Sequence, residues 1–252
     1  ADASIFIIGQ EVLIDQPVKH FEQLTQMIPN LNWAGGSSRP RYFQIRGIGE
    51  RSGYEGTPNS SVGFIIDDID FSGLGGIATT FDLEQVEVHR GPQGLRMGAN
   101  ALAGLIYMQS KNPTDAFEGI AELIYGSDDI KSLGIAMGGP IDEEEKLKYR
   151  VAFRQDEVNG FRNNSWLARD NTSGKKEFTG RIKLNWQPNS ASTIDFLLMN
   201  VDLENGYDAW TMDNSLSTLS DKPGWDSQDT NAMGLKMRFR LHDKFELQSL
   251  TG

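Results

Sequence analysis

The stretch that decides the fold runs from Phe81 to Pro113 and reads FDLEQVEVHRGPQGLRMGANALAGLIYMQSKNP. Its apolar, β-prone runs between glycine-rich segments predict strands at Gln85–His89 and Leu105–Gln109. The glycines between these strands permit positive φ and close approach of the backbone. Arg90 adds a permanent charge at the end of an apolar strand. Nothing in the stretch resembles a reaction centre, so it predicts a structural scaffold.

The residues before Pro113 predict a compact mixed α/β unit, because they hold 15 of the 27 glycines between short apolar runs. One helix is expected between Asp15, its cap, and Pro29, with Phe21, Leu24 and Ile28 on its apolar face. A small sheet is expected to include the neighbourhood of Arg46–Ile48 together with Phe64–Ile66, Val86–Val88 and Ile106–Met108.

A different pattern begins after Pro113: segments of about ten residues alternate apolar and polar side chains, which is typical of β-strands. The clearest segment is Lys146–Arg154, and further strands are predicted at 121–125, 133–137, 178–186, 194–201, 233–241 and from Phe245 onward. Two predicted faces follow: Leu147, Tyr149, Val151, Phe153, Ile182, Leu184, Met237 and Phe239 on one, and Lys148, Arg150, Arg181, Lys183, Arg238 and Arg240 on the other.

The connections between these strands alternate in length. Short ones at 142–145, 187–192 and 243–244 separate long polar ones at 159–177 and 203–231. Outer-membrane β-barrels have short periplasmic turns and longer extracellular loops, so the pattern favours a membrane barrel. A soluble antiparallel sheet with one wet face remains the alternative, although it does not explain the difference in loop length.

Composition excludes several classes of protein. A net charge of −11 argues against a nucleic-acid groove, and the absence of cysteine excludes disulfides, thiolate metal sites and cysteine nucleophiles. The three histidines are far apart, and no metal or cofactor site is predicted. Asp67, Asp68 and Asp70 are too few and wrongly spaced for a calcium loop, and are expected to be polar residues of a turn and strand end.

Phe81–Pro113, together with QIRGIG at Gln44–Gly49 and VGFIIDDI at Val62–Ile69, resembles the plug domain of TonB-dependent outer-membrane receptors. The resemblance runs from about Ser4 to the C-terminus. It implies an α+β plug domain at residues 1–113, followed at 114–252 by the first antiparallel strands of an incomplete 22-stranded transmembrane β-barrel.

The resemblance implies active transport across the outer membrane of a Gram-negative bacterium, with an Fe(III)-siderophore or similar metal chelate as the expected substrate. TonB, the small nutrient and outer-membrane lipid are the expected partners; no enzyme activity, cofactor or nucleic acid is expected.

Without a TonB box or signal peptide before Ala1, and with six to seven of 22 strands, the chain is expected to be a fragment that neither closes a barrel nor transports. The alternative is a secreted or periplasmic ligand-binding module with a plug-like fold.

The resemblance also implies roles for individual residues. Arg46 and Arg90 are expected to contact the barrel wall, pairing with glutamates beyond Gly252, although Arg90 has a local alternative partner in Glu87. Positively charged and aromatic side chains at the predicted apices of the plug can pair with, or stack on, a metal chelate. These substrate-binding candidates are Trp33, Arg39, Arg51, Tyr54 and Phe71, with Tyr207, Trp210 and Trp225 of the second long connection as weaker ones. Trp186 fits a membrane-interface girdle better.

Overall fold

The computed structural model describes residues 4–15, 20–52, 59–74, 79–93, 100–208 and 211–252. The chain divides between Lys111 and Asn112 into two compact units, here called unit 1 and unit 2. The sequence places its change of pattern two residues later, near Pro113. In the part of the chain that is described, no helix has the length and hydropathy needed to span a bilayer.

Unit 1 is a small α+β domain built on a five-stranded sheet of order β1-β6-β7-β4-β5, in which only β4 and β7 run parallel. A separate hairpin joins β2 and β3. The elements are β1 (Ser4–Gly9), α1 (Gln10–Asp15), α2 (Phe21–Leu24) continued by a 3-10 turn (Thr25–Met27), β2 (Leu31–Ala34), β3 (Tyr42–Ile45), β4 (Val62–Ile66), β5 (Ile69–Asp70), β6 (Leu83–Arg90) and β7 (Gly104–Ser110).

Three of the four segments predicted for the small sheet are strands of the five-stranded sheet, but the fourth is not. Arg46 and Gly47 form a tight turn directly after β3, with φ values of 55° and 81°. The amide and carbonyl groups of Ile45 and Ile48 bond to each other across this turn, at 2.9 and 3.1 Å. Two consecutive residues with positive φ reverse the chain, so Arg46 lies in a turn and outside the sheet.

The predicted helix begins later than expected. Asp15 is the last residue of α1, and residues 16–19 lie outside the described part of the chain. α2 begins at Phe21, and the N-cap is His20, whose Nδ1 accepts a hydrogen bond from the Glu22 amide at 3.2 Å. Phe21 and Leu24 are buried, as their spacing predicts.

The core of unit 1 contains three phenylalanines from three different elements. Phe43 of β3 stacks on Phe64 of β4 with 5.3 Å between ring centroids, and Phe21 of α2 meets both rings edge-on at 5.6 and 5.4 Å. Edge-to-face and offset-stacked pairs are the favoured arrangements of aromatic rings. The cluster therefore fixes the helix and the β2–β3 hairpin against the central sheet.

The three aspartates after β4 lie in a turn and at the end of a strand, as predicted. Asp67 and Asp68, with φ values of 48° and 69°, form the two-residue turn of the β4–β5 hairpin. The Asp67 carboxylate accepts hydrogen bonds from the amide and hydroxyl of Ser110, and Asp68 accepts one from the Tyr107 hydroxyl. Asp70 accepts from Ser72 and Asn100. These carboxylates stabilise the turn and tie it to β7.

Unit 2 is an antiparallel sheet of seven strands, each of which was predicted. The order β8-β9-β10-β12-β13-β15-β16 follows the chain, and β8 and β16 form the two edges. The elements are β8 (Glu118–Tyr125), β9 (Lys131–Pro140), β10 (Leu147–Val158), β11 (Asn163–Asn164), β12 (Lys175–Asn189), β13 (Ser192–Tyr207), β14 (Ser217–Thr218), β15 (Gly224–His242) and β16 (Phe245–Thr251). The short β11 and β14 belong to the two long connections.

The strand register confirms the two predicted faces. Val151 lies opposite Met137 and Ile182, while Arg150 lies opposite Gly138 and Lys183. Residues directly opposite each other on paired strands share a face, so the apolar and cationic sets separate as the alternation predicts. The apolar set continues without interruption onto β13 and β15 through the opposed pairs Ile182–Leu198, Leu198–Met233, Leu184–Phe196, Phe196–Leu235 and Ile194–Met237.

Candidate functional site

Arg46 and Arg90 are both placed at the periphery of unit 1. The Arg46 side chain is exposed and forms no hydrogen bond or ion pair with any residue that the structure describes. Arg90, at the end of β6, has a buried Nε that likewise finds no hydrogen-bond partner within the described ranges. The alternative pair between Arg90 and Glu87 is not formed, because the Glu87 carboxylate instead contacts Gln85 and His89, each at 2.6 Å.

The four substrate-binding candidates that the structure describes are not brought together as one surface. Trp33 on β2 and Arg51 are exposed, whereas Arg39 is 0% and Phe71 2% exposed. Phe71 is an interior side chain because its amide bonds to the Phe64 carbonyl and holds it against β4. This burial corrects the expectation that Arg39 and Phe71 face a ligand. Tyr54, like Trp210, lies outside the described residues.

The two long connections of unit 2 are paired with each other, which the sequence does not predict. Connection 1 is defined as residues 159–174, between β10 and β12, and connection 2 as residues 208–223, between β13 and β15. Their short strands β11 and β14 pair in parallel, and the amides of Asn163 and Ser165 donate to the carbonyls of Leu216 and Thr218 at 3.0 and 2.9 Å.

A buried carboxylate lies at the centre of this pairing. Asp208 is 2% exposed and accepts four side-chain hydrogen bonds of 2.7–2.8 Å. Burial by itself would raise the pKa of Asp208, but the donors on its oxygens together hold the pKa below its ordinary value. The donors are Asn164 Nδ2 and Thr172 Oγ1 from connection 1, and Thr218 Oγ1 and Ser220 Oγ from connection 2.

The lowered pKa of Asp208 predicts how the connections respond to pH. A carboxylate with a depressed folded-state pKa contributes stability that is complete above its ordinary pKa of about 3.9 and is lost as the pH falls through the lower folded value. We expect amide exchange in both connections, corrected for intrinsic rates, to be the same at pH 8 and pH 5. Increased exchange already at pH 5 would contradict an ionised, fully bonded Asp208.

A cleft of about 470 Å³ opens beside this network. Its walls come from connection 1, the end of β13 and the start of β15, and include Arg169, Glu204 and Trp225. Trp225 is 86% exposed and lies opposite Gly206. An exposed indole beside a cation and a carboxylate can stack on and hydrogen-bond a small polar molecule. The sequence singles out Trp225 as a weak candidate but gives no signal for Arg169 or Glu204.

The charged face of unit 2 contains two ion pairs that reach across a whole strand. Arg150 pairs with Glu118 and Arg154 with Glu122, in each case passing over a glycine of β9, Gly138 or Gly134. Both arginines are buried. A Cβ on Gly138 would lie 2.8 Å from the Tyr149 carbonyl oxygen and 3.4 Å from the Arg150 Cβ, so glycine leaves the space that the arginine occupies.

Residues 1–105 match the family model of the TonB-dependent receptor plug domain. Among curated proteins, the chain is 24% identical over 151 residues to the ferrioxamine B receptor of Salmonella typhimurium, covering 59% of this chain and 21% of that protein. It is 26% identical over 121 residues to the vitamin B12 transporter BtuB of Vibrio vulnificus, covering 48% and 19%. The chain thus spans about a fifth of the length of these relatives.

The fold is shared with a solved receptor over nearly the whole chain. The structure of the ferric yersiniabactin uptake receptor FyuA from Yersinia pestis superposes with a TM-score of 0.83 at 20% sequence identity. The match covers 98% of this chain and 40% of that receptor. The fold of each unit therefore has a counterpart in a receptor of known structure.

Proposed function

Because the chain belongs to the TonB-dependent receptors of the Gram-negative outer membrane, we propose that the protein imports a scarce nutrient across that membrane, an Fe(III)-siderophore or a similar metal chelate. The matched relatives are receptors and transporters, which supports a role in nutrient uptake and gives no support to an enzyme. TonB is the proposed energy-coupling partner.

The observation that carries this proposal is the two-faced sheet of unit 2. One face presents a continuous apolar surface to which β9, β10, β12, β13 and β15 all contribute, and several of its largest side chains are exposed. Soluble monomers rarely expose apolar patches of this extent, whereas the outer wall of a membrane barrel requires one. This surface favours the membrane receptor over a secreted or periplasmic binding module.

We assign unit 1 to the plug and unit 2 to the first strands of a 22-stranded barrel, with domains at 1–113 and 114–252. A barrel of that size encloses a lumen wide enough to need a plug. The seven strands of unit 2 form an open meander with β8 and β16 as edges, which is the arrangement needed for further strands to add at either side. Outer-membrane lipid is the proposed partner of the apolar face.

Arg46 and Arg90 are proposed to anchor the plug to carboxylates on later barrel strands. The buried Arg90 Nε supports this role, since a buried donor without an acceptor is costly and implies a partner outside the described residues. Trp33, Arg51 and Tyr54 are retained as proposed chelate contacts, and Trp225 is added from the cleft.

Loss of an anchoring arginine should loosen the plug. Arg90→Ala is expected to reduce nutrient uptake and to admit a large antibiotic that the outer membrane normally excludes, because each charged hydrogen bond lost weakens plug retention by about 1.5–3 kcal/mol. Arg90→Lys should restore only part of the retention, since lysine lacks the planar fork of donors. Lys111→Ala, at the end of unit 1, is the control. Unchanged exclusion in Arg90→Ala would contradict the anchoring role.

The proposed function is tested by growth under iron limitation. A strain lacking its own ferric-chelate receptors should grow on at least one chelate of a panel when it expresses the complete receptor that contains this chain, and only when TonB is present. The panel contains ferric hydroxamate, ferric catecholate and mixed-ligand siderophores, with vitamin B12 tested separately. Growth independent of TonB, or no uptake of any panel member by correctly assembled receptor, would contradict the proposal.

A further inference from the structure

The two long connections would ordinarily be expected to move independently. Each contains 16 residues, and long irregular connections on a protein surface are usually more mobile than the strands that they join. Ordering them carries a conformational entropy cost that grows with every residue fixed. The described residues of the two connections, which leave out 209 and 210, are paired, and this pairing needs specific interactions that hold it.

We propose that Asp208 is a lock that makes connections 1 and 2 one rigid unit. Its carboxylate sits between them and takes two hydrogen bonds from each side, from Asn164 and Thr172 on one connection and from Thr218 and Ser220 on the other. Because Asp208 directly follows β13, the lock also ties both connections to the end of that strand.

The geometry makes the lock cooperative. Three of the four donors share one carboxylate oxygen, Oδ2, so removal of the carboxylate takes this acceptor from the hydroxyls of Thr172 and Thr218 and one of two acceptors from Asn164 Nδ2, all at a buried position. Asn164 has a second role, because its Nδ2 also donates to the Ser220 carbonyl and its Oδ1 accepts from the Leu167 amide. A disturbance on either connection is therefore transmitted through Asp208 to the other.

The lock has a consequence for the surface that the connections present. Phe161 and Trp166 on connection 1, and Leu216 and Leu219 on connection 2, are all more than half exposed although they are apolar. On freely moving segments such side chains would collapse together, because burial of apolar area is favourable. A rigid pair of connections keeps these apolar side chains apart and exposed. The lock does not depend on which nutrient the receptor imports.

The test is hydrogen exchange of the complete receptor, followed by mass spectrometry of peptides from each connection. In Asp208→Asn, which keeps the shape of the side chain and removes its charge, exchange should rise by about tenfold to a hundredfold in both connections, with β12 and β13 unchanged. Asp213→Asn is the matched control, because Asp213 is an aspartate of connection 2 whose carboxylate, within the described residues, accepts hydrogen bonds from no other residue than the neighbouring Ser215. In this control, hydrogen exchange should change only in the peptide that contains residue 213.

A second pair of variants keeps the test decisive if Asp208→Asn assembles poorly. Thr172→Val and Thr218→Val each remove one donor, from connection 1 and connection 2 respectively. Each should increase exchange in the opposite connection as well as its own. Exchange confined to the mutated connection, or unchanged exchange in connection 1 of Asp208→Asn, would overturn the lock while leaving the proposed uptake function untouched.

Discussion

Replacing Met237 by arginine should remove most of the receptor from the outer membrane, whereas arginine at Ser227 on the same strand and face should be tolerated. Met237 lies in the middle of the apolar run from Met233 to Leu241 on β15 and opposite Ile194 of β13. An arginine on the lipid-facing side of a barrel costs about 2–4 kcal/mol at the bilayer midplane and about 0–1 kcal/mol near the interfaces.

The contrast between the two variants is the informative quantity. A cost of about 2–4 kcal/mol corresponds to a decrease of about 30-fold to 1,000-fold in the equilibrium constant for folding into the membrane. The amount of heat-modifiable receptor in purified outer membranes measures it. Ser227 lies ten residues before Met237, at the polar end of the strand, so both variants add the same charge to one face. Equal assembly of the two would contradict the assignment of this face to lipid.

The second large effect is expected at Arg154. Its buried guanidinium pairs with Glu122 across Gly134 and with Asp156 on its own strand, where Nε lies 2.9 Å from Oδ1. Arg154→Met should lower the free energy of unfolding by about 3–5 kcal/mol, because it leaves carboxylates without their counter-charge. The double variant Arg154→Met, Glu122→Met should recover part of this loss, since only Asp156 then lacks its counter-charge.

The unfolding free energies are measured by urea titration of the complete receptor in lipid vesicles. Lys148→Met is the matched control, because Lys148 also pairs across β9, but with Asp115, whose side chain is largely exposed. It should cost less than about 1 kcal/mol. If the double variant is as unstable as Arg154→Met alone, the pair with Glu122 is not the source of the effect.

The strands of unit 2 could be predicted because alternation is a local property. Tyr149, Val151 and Phe153 on β10 show the period of two without any knowledge of neighbouring strands. The register was not predictable in the same way, because it depends on which residues lie opposite. The glycines at 134 and 138 illustrate this: in sequence they only weaken a strand, whereas in the sheet they lie opposite the buried Arg154 and Arg150, and Gly138 leaves space that Arg150 occupies.

The parts of unit 1 that sequence reasoning missed depend on backbone geometry. Arg46 is flanked by apolar residues that suggest a continuing strand, but its positive φ and that of Gly47 reverse the chain. A non-glycine residue with positive φ has no reliable sequence signature. His20 is the helix cap in place of Asp15 because its ring nitrogen, rather than a carboxylate, accepts a hydrogen bond from the Glu22 amide in the first turn of α2.

The network around Asp208 could not be predicted because its members are distant in sequence. Asn164 and Thr172 lie 44 and 36 residues before Asp208, and Thr218 and Ser220 lie 10 and 12 residues after it. Each looks like an ordinary polar loop residue. Only the three-dimensional fold brings five short polar side chains to one buried point.

The measurement that most directly tests the membrane assignment is a spin-label accessibility scan of Arg181–Leu184 on β12 in the assembled receptor. The chain has no cysteine, so each introduced cysteine is a unique labelling site within it. Labels at Ile182 and Leu184 should collide mainly with lipid-soluble oxygen, whereas labels at Arg181 and Lys183 should not, because neighbouring residues of a strand face opposite sides. Free access of a water-soluble nickel chelate to Ile182 and Leu184 would contradict a lipid-facing wall.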